Sequence, residues 1–108
     1  MINFTIPMKM DLEEWKDHCW GSGWTTWEWW YGARATDDGI EAEWFEDADD
    51  PDSRIEKDFK SWQEIADVAS VVASKDAFVA AQLIASDLDA DGMDRIMQTT
   101  FIGEVIYG

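Results

Sequence analysis

Three aspartates at alternate positions, Asp87, Asp89 and Asp91, stand before Gly92. This is how a calcium loop begins. Hard carboxylate oxygens occupy positions one, three and five, and a glycine at six allows the sharp turn. The second half departs from the pattern. Position eight is Asp94 where an apolar residue is expected, and position twelve is Gln98, a neutral amide in place of a bidentate glutamate. Asp87, Asp89, Asp91 and Gln98 are therefore a depleted cation set. The plainer reading is a helix end, an acidic loop and the cap of the next helix. His18 and Cys19 are neighbours in sequence and so do not face each other on a helix. No second histidine or cysteine exists to complete a zinc set or a disulfide. Carboxylate pairs such as Glu41 and Glu43 could serve acid–base chemistry, but among 24 acids some pair is close by number alone. Glycine-rich phosphate loops and nucleophile elbows are missing. The residues predict binding without catalysis, with no cofactor and no resident metal.

The charge balance narrows what is bound. Twenty-four acids against eight bases give a formal charge of -16 on 108 residues. Chains this acidic are often disordered, but those are poor in aromatics. This one is 46% hydrophobic and carries eight tryptophans, enough to build a core. Nucleic acids and anionic membrane surfaces require basic patches and are excluded as direct partners. A basic protein surface is favoured, and long-range attraction would speed its encounter. From Asp37 to Asp58 there are eleven acids and two bases, Arg54 and Lys57, so the acidity is concentrated. The N-terminal residues 1–6 lack a basic region followed by a long apolar run, which predicts no secretory signal and a cytoplasmic location. No apolar stretch reaches membrane-spanning length.

The elements that must present these residues follow from periodicity. Residues 2–6 alternate and predict a short edge strand closed by Pro7. Asp11 and Glu14 read as a helix start, with Leu12, Trp15 and Cys19 as its apolar stripe. Residues 24–45 read as a hairpin turning on Asp38-Gly39. That register opposes Arg34 to Glu43, Thr36 to Glu41, Ala33 to Trp44 and Ala35 to Ala42. It puts Trp27, Trp29, Tyr31, Ala33, Ala35, Ile40, Ala42 and Trp44 on one face. Arg34, Thr36, Glu41 and Glu43 lie on the other, joined by Trp30 and Phe45. Residues 46–52 form an acidic loop. Ser61 and Glu64 make a capping box for a helix carrying Trp62, Ile65, Ala66, Ala69 and Val72. Ser74 is expected to cap the next helix, whose residues 77–84 are apolar all round and predict a buried, central element. Met93, Ile96 and Met97 predict a last short helix, and residues 101–107 a closing strand. The fold class is α+β: one domain over residues 1–108, a small antiparallel sheet with a central hairpin, covered on one face by three or four helices.

The block from Ser86 to Asp94, with Gly103 to Gly108 and Trp27-Glu28-Trp29-Trp30, resembles the small acidic proteins of unassigned function encoded by actinobacterial tailed phages. The resemblance is one of style and length and implies action in the bacterial host cytoplasm against a host protein. Several phage inhibitors of that kind are acidic DNA mimics that fill the basic groove of a nuclease or polymerase. The expected contact residues are Glu41, Glu43, Glu46, Asp47, Asp49, Asp50 and Asp52, with Trp30 or Phe45 as apolar anchor. The alternatives are a calcium-responsive module at residues 87–98, a structural or self-assembling phage protein using the tryptophan face, with a homodimer as one such state, and a small-molecule binder with a cavity near Trp20, Trp24 and Trp30.

Overall fold

The computed structural model of the chain describes residues 10–107, so the strand expected over residues 2–6 lies outside the described residues. Helix α1 spans Leu12–Gly21, and the Asp11 side chain caps it by accepting the Glu14 amide at 2.9 Å. A 3-10 turn at Trp24–Thr26 leads into strands β1 (Trp30–Ala35), β2 (Gly39–Phe45) and β3 (Ile55–Ser61). Helices α2 (Trp62–Lys75), α3 (Ala77–Ile84) and α4 (Ala90–Met97) follow, and a π-helical turn occupies Gln98–Ile102. The three strands form one antiparallel sheet in the order β1-β2-β3. The fold is α+β, as the hydrophobic periodicity predicts.

The hairpin register differs from the expected one. Arg34 pairs with Glu41, Ala33 with Ala42 and Ala35 with Ile40. The turn therefore lies on Asp37-Asp38. The Thr36 amide donates to the Gly39 carbonyl at 2.8 Å, and the Thr36 hydroxyl accepts the amides of Asp38 and Gly39, both at 3.2 Å. Gly39 is used for close packing instead of turning. A Cβ there would collide with the Lys60 carbonyl on β3. The shift moves every partner by two positions, so the faces expected for residues 33–44 survive.

A bulge breaks that parity at the start of β1. Trp30 pairs with Trp44 and Gly32 with Glu43, leaving Tyr31 as the extra residue. Trp30 thereby turns into the core, where it is 6% exposed, and Tyr31 turns out to 60%. The sequence-based assignment of these two residues is reversed. Trp27 and Trp29 precede the strand and stack on each other, with ring centres 5.3 Å apart and planes within 6°.

Strand β3 was not expected. Its residues Glu56, Asp58 and Lys60 lie opposite Trp44, Ala42 and Ile40, while Ile55, Lys57 and Phe59 lie opposite Phe45, Glu43 and Glu41. Apolar periodicity is weak because β3 is an edge strand, where charged side chains discourage pairing with another chain.

Helix α2 begins with the full capping box: the Glu64 amide donates to Ser61 Oγ at 3.1 Å, and Glu64 Oε1 accepts the Ser61 amide at 3.0 Å. Ser74 lies inside this helix. The cap of α3 is Asp76, which accepts the amides of Phe78 and Val79. Helix α3 is peripheral, contrary to its composition. Only Val79 and Leu83 are buried, and Ile84 is 63% exposed. The centre of the helical layer is α4, with Met93, Ile96 and Met97 fully buried. The closing strand is replaced by the π-helical turn, which ends at Gly103 with φ of 101°.

Four tryptophans enter the core, and each has a carbonyl or carboxylate for its N–H, as a buried indole requires. Trp15 Nε1 donates to the Trp62 carbonyl at 2.9 Å, Trp24 Nε1 to the Cys19 carbonyl, Trp30 Nε1 to Asp94, and Trp62 Nε1 to the Asp37 carbonyl at 3.1 Å.

Candidate functional site

The outward face of the sheet is built from alternate residues of its three strands. At one end, Tyr31, Phe45 and Ile55 form a row across it. The rings of Tyr31 and Phe45 meet edge to face at 5.6 Å, and Phe45 pairs with Ile55. The next rows bring Glu43 opposite Lys57, and Glu41 between Arg34 and Phe59. Glu41 is shared by two cations, Arg34 at 3.7 Å and Lys57 at 3.4 Å. Glu43 makes no ion pair among the described residues. The sheet thus carries alternating signs in place of a line of like charges.

Exposed carboxylates concentrate in the loop between β2 and β3, beside the Tyr31–Phe45–Ile55 row. Glu46, Asp47, Asp49, Asp50 and Asp52 are all exposed. The loop is ordered by its own backbone. The Asp49 amide donates to Asp47 Oδ1 at 3.0 Å, and the Asp52 amide to Asp50 Oδ1 at 2.9 Å, two Asx turns in succession. The Glu46 amide donates to the Arg54 carbonyl at 2.8 Å, closing the neck. Arg54 compensates part of the charge through Glu56 and, at 3.9 Å, Glu46.

Of the expected contact residues, Glu41, Glu43 and Phe45 share the outer sheet face, and the five loop acids adjoin it. Trp30 is corrected: it is buried and cannot be an anchor, and Tyr31 takes the place beside Phe45. The residues that sequence reasoning missed are Tyr31, Ile55 and Phe59. The first is hidden by the bulge and the others by the unrecognised strand.

The calcium candidates are not brought together. Asp89 caps α4 by accepting the Gly92 amide at 2.8 Å, Asp91 pairs with Arg95 at 3.2 Å, and Gln98 is fully buried. No group of three or more metal-ligating side chains able to hold an ion occurs among the described residues. Of the three tryptophans expected to line a cavity, Trp20 borders an open groove of about 330 Å³ between α1 and the hairpin turn, together with Trp62, Lys16 and Asp37. Trp24 and Trp30 are in the core.

The described interior holds one buried carboxylate. Asp94 Oδ1 accepts the indole N–H groups of Trp30 at 2.7 Å and Trp29 at 3.0 Å, and Oδ2 accepts Gln98 Nε2 at 2.7 Å. Burial raises its pKa, against the opposing effect of the three donors. Among the described residues its hydrogen-bond partners are donors from the fold itself, which is a structural role. Cys19 is likewise buried, which pushes its thiol well up and keeps it protonated.

No protein-family model, curated protein or solved structure matches the chain.

Proposed function

We propose that the protein is a non-enzymatic binding protein that occupies a basic site on another protein and blocks it sterically and electrostatically. The observation that carries this reading is the juxtaposition of five exposed loop carboxylates with the Tyr31–Phe45–Ile55 row, in which Tyr31 is exposed and Phe45 and Ile55 are half-buried. Such a surface offers both parts of an interface: charge to steer the encounter and aromatic area to hold it. The resemblance to acidic phage proteins supports a host protein as target, with a nucleic-acid-binding or defence enzyme as its class. Imitation of a phosphate row by sheet carboxylates is not part of the mechanism, because Arg34 and Lys57 interrupt that row. The loop supplies the anionic contact.

The test compares two charge-matched triple variants. Asp47→Asn/Asp49→Asn/Asp52→Asn removes three of the loop's five carboxylate charges, and Asn preserves the Asx turn at residue 47. Glu13→Gln/Asp17→Asn/Asp87→Asn neutralises three exposed acids elsewhere. Against an immobilised oligo-arginine peptide and against partners captured from bacterial lysate, the loop variant should bind about tenfold more weakly, on the order of 1.4 kcal/mol, and the control should change little. Binding of the parent should fall steeply as salt shortens the Debye length below about 10 Å. Equal losses in both variants, or salt-insensitive binding, would remove the reading.

A further inference from the structure

Tyr107 ties the acidic loop to the body of the protein. The tie begins at Gln98, which is fully buried and uses both ends of its side-chain amide. Its Nε2 donates to Asp94 Oδ2 at 2.7 Å and to the Tyr107 carbonyl at 2.9 Å, and its Oε1 accepts the amides of Ile106 at 3.0 Å and Tyr107 at 2.9 Å. The Gln98 carbonyl also accepts the Gly103 amide at 3.0 Å. One residue therefore closes the whole excursion from 98 to 107. Its carbonyl fixes the turn, and its amide replaces the neighbouring strand that residues 106–107 would otherwise need.

The segment so held presents the Tyr107 ring in two directions. Its face stacks on Trp29, centre to centre 5.3 Å with planes within 16°. Its hydroxyl accepts the Ala48 amide at 3.1 Å. Ala48 lies in the middle of the acidic loop, between Asp47 and Asp49. The loop's other hydrogen bonds among the described residues are internal or lie at its neck, and they set its shape. The bond to Tyr107 sets where the shaped loop points. Five like charges in seven residues repel one another, so a fixed orientation requires such an external tie.

We infer that Tyr107, positioned by Gln98 and Trp29, is a strap that orients the acidic loop and thereby presents the proposed binding surface. The inference rests on the reading of that loop as the contact surface, but its first test does not. Hydrogen exchange in the full chain should show the Ala48 amide protected, although it sits in an exposed loop. Tyr107→Phe removes the hydroxyl and keeps the stacked ring. It should speed exchange at Ala48 about threefold to tenfold, with the amides of β2 and α4 unaffected. An Ala48 amide that is unprotected in the parent, or exchanges at the same rate in Tyr107→Phe, overturns the strap. Binding of the same variant to the oligo-arginine peptide should weaken severalfold. Faster exchange at Ala48 with unchanged binding overturns the strap's part in presenting the surface, while the loop charge variant decides separately whether the loop is the contact surface.

Discussion

The indole N–H of Trp30 donates to the buried carboxylate of Asp94 across 2.7 Å, joining the first described strand to the last α-helix. Trp29 adds a second donor to the same oxygen. Asp94→Ala would leave the buried Trp30 indole and the half-buried Trp29 indole without this acceptor. A loss of about 2–4 kcal/mol in denaturant unfolding is expected. A loss under about 0.5 kcal/mol would mean that the indoles find other acceptors and that the bond does not organise the core.

Acid titration should separate Asp94 from Asp76. Burial lifts Asp94 above the ordinary carboxylate range. A raised folded pKa favours folding most when the group is protonated, so this contribution is full at low pH and is lost as pH rises through the folded value. For Asp76, burial also raises the pKa, but the bonds from Arg95, Val79 and Phe78 outweigh it and hold the carboxyl below its ordinary range. Its contribution is present above that range and lost as pH falls through the folded value. The stability deficit of Asp76→Asn, about 0.5–1 kcal/mol at pH 7 for a partly exposed ion pair, should shrink on acidification below about pH 4. The deficit of Asp94→Asn should instead widen in a higher pH range, as acidification passes through the raised folded value towards about pH 4, and stay level below it. Parallel trends in thermal melts would contradict the assignment.

Gly39→Ala should destabilise the sheet. The added methyl would meet the Lys60 carbonyl, a backbone atom that cannot rotate away. A cost of about 1–3 kcal/mol is expected, read from urea midpoints at unchanged slope. A variant as stable as the parent would show that β2 and β3 do not approach so closely.

Tyr31→Ala removes the exposed half of the Tyr31–Phe45 pair. With Tyr31 60% exposed, stability should change by less than about 1 kcal/mol. Affinity for the captured partner should fall about tenfold if the aromatic row anchors the interface. Isothermal titration measures this directly, and unaltered affinity would confine the contact to the charged loop.

Cys19 is fully buried and its thiol is pushed well up. Reaction with an aromatic disulfide reagent should therefore be slow in buffer and immediate in denaturant. Rapid labelling of the folded chain would place α1 outside the core.

Local chemistry was readable where a signal depends on near neighbours. The Asp11 and Ser61 caps, the stripe of Trp15 and Cys19 and the buried face of Met93, Ile96 and Met97 are set by spacing within a helix. The hairpin was legible in its faces but not in its register. A shift of two preserves parity, so Ala33, Ala42 and Trp44 stay together whichever turn forms. The Asp38-Gly39 pair misled because glycine serves close approach as well as turning. Gly39 is there to admit the Lys60 carbonyl, and that requirement comes from a strand separated from it in sequence.

The sequence by itself determined an α+β chain with a strongly anionic middle and enough tryptophan to build its interior. Those properties are additive, summed over residues or over short windows. Only the tertiary structure decided which aromatics face out. One extra residue in β1 exchanges Trp30 for Tyr31, because side chains alternate across a strand and a bulge resets the alternation. It also decided that residues 106–107 bond to the amide of Gln98 instead of a strand, a choice between partners that local propensity does not distinguish. The contact surface proposed here, Tyr31 and Phe45 beside a loop tied down by Tyr107, exists only through those two non-local decisions.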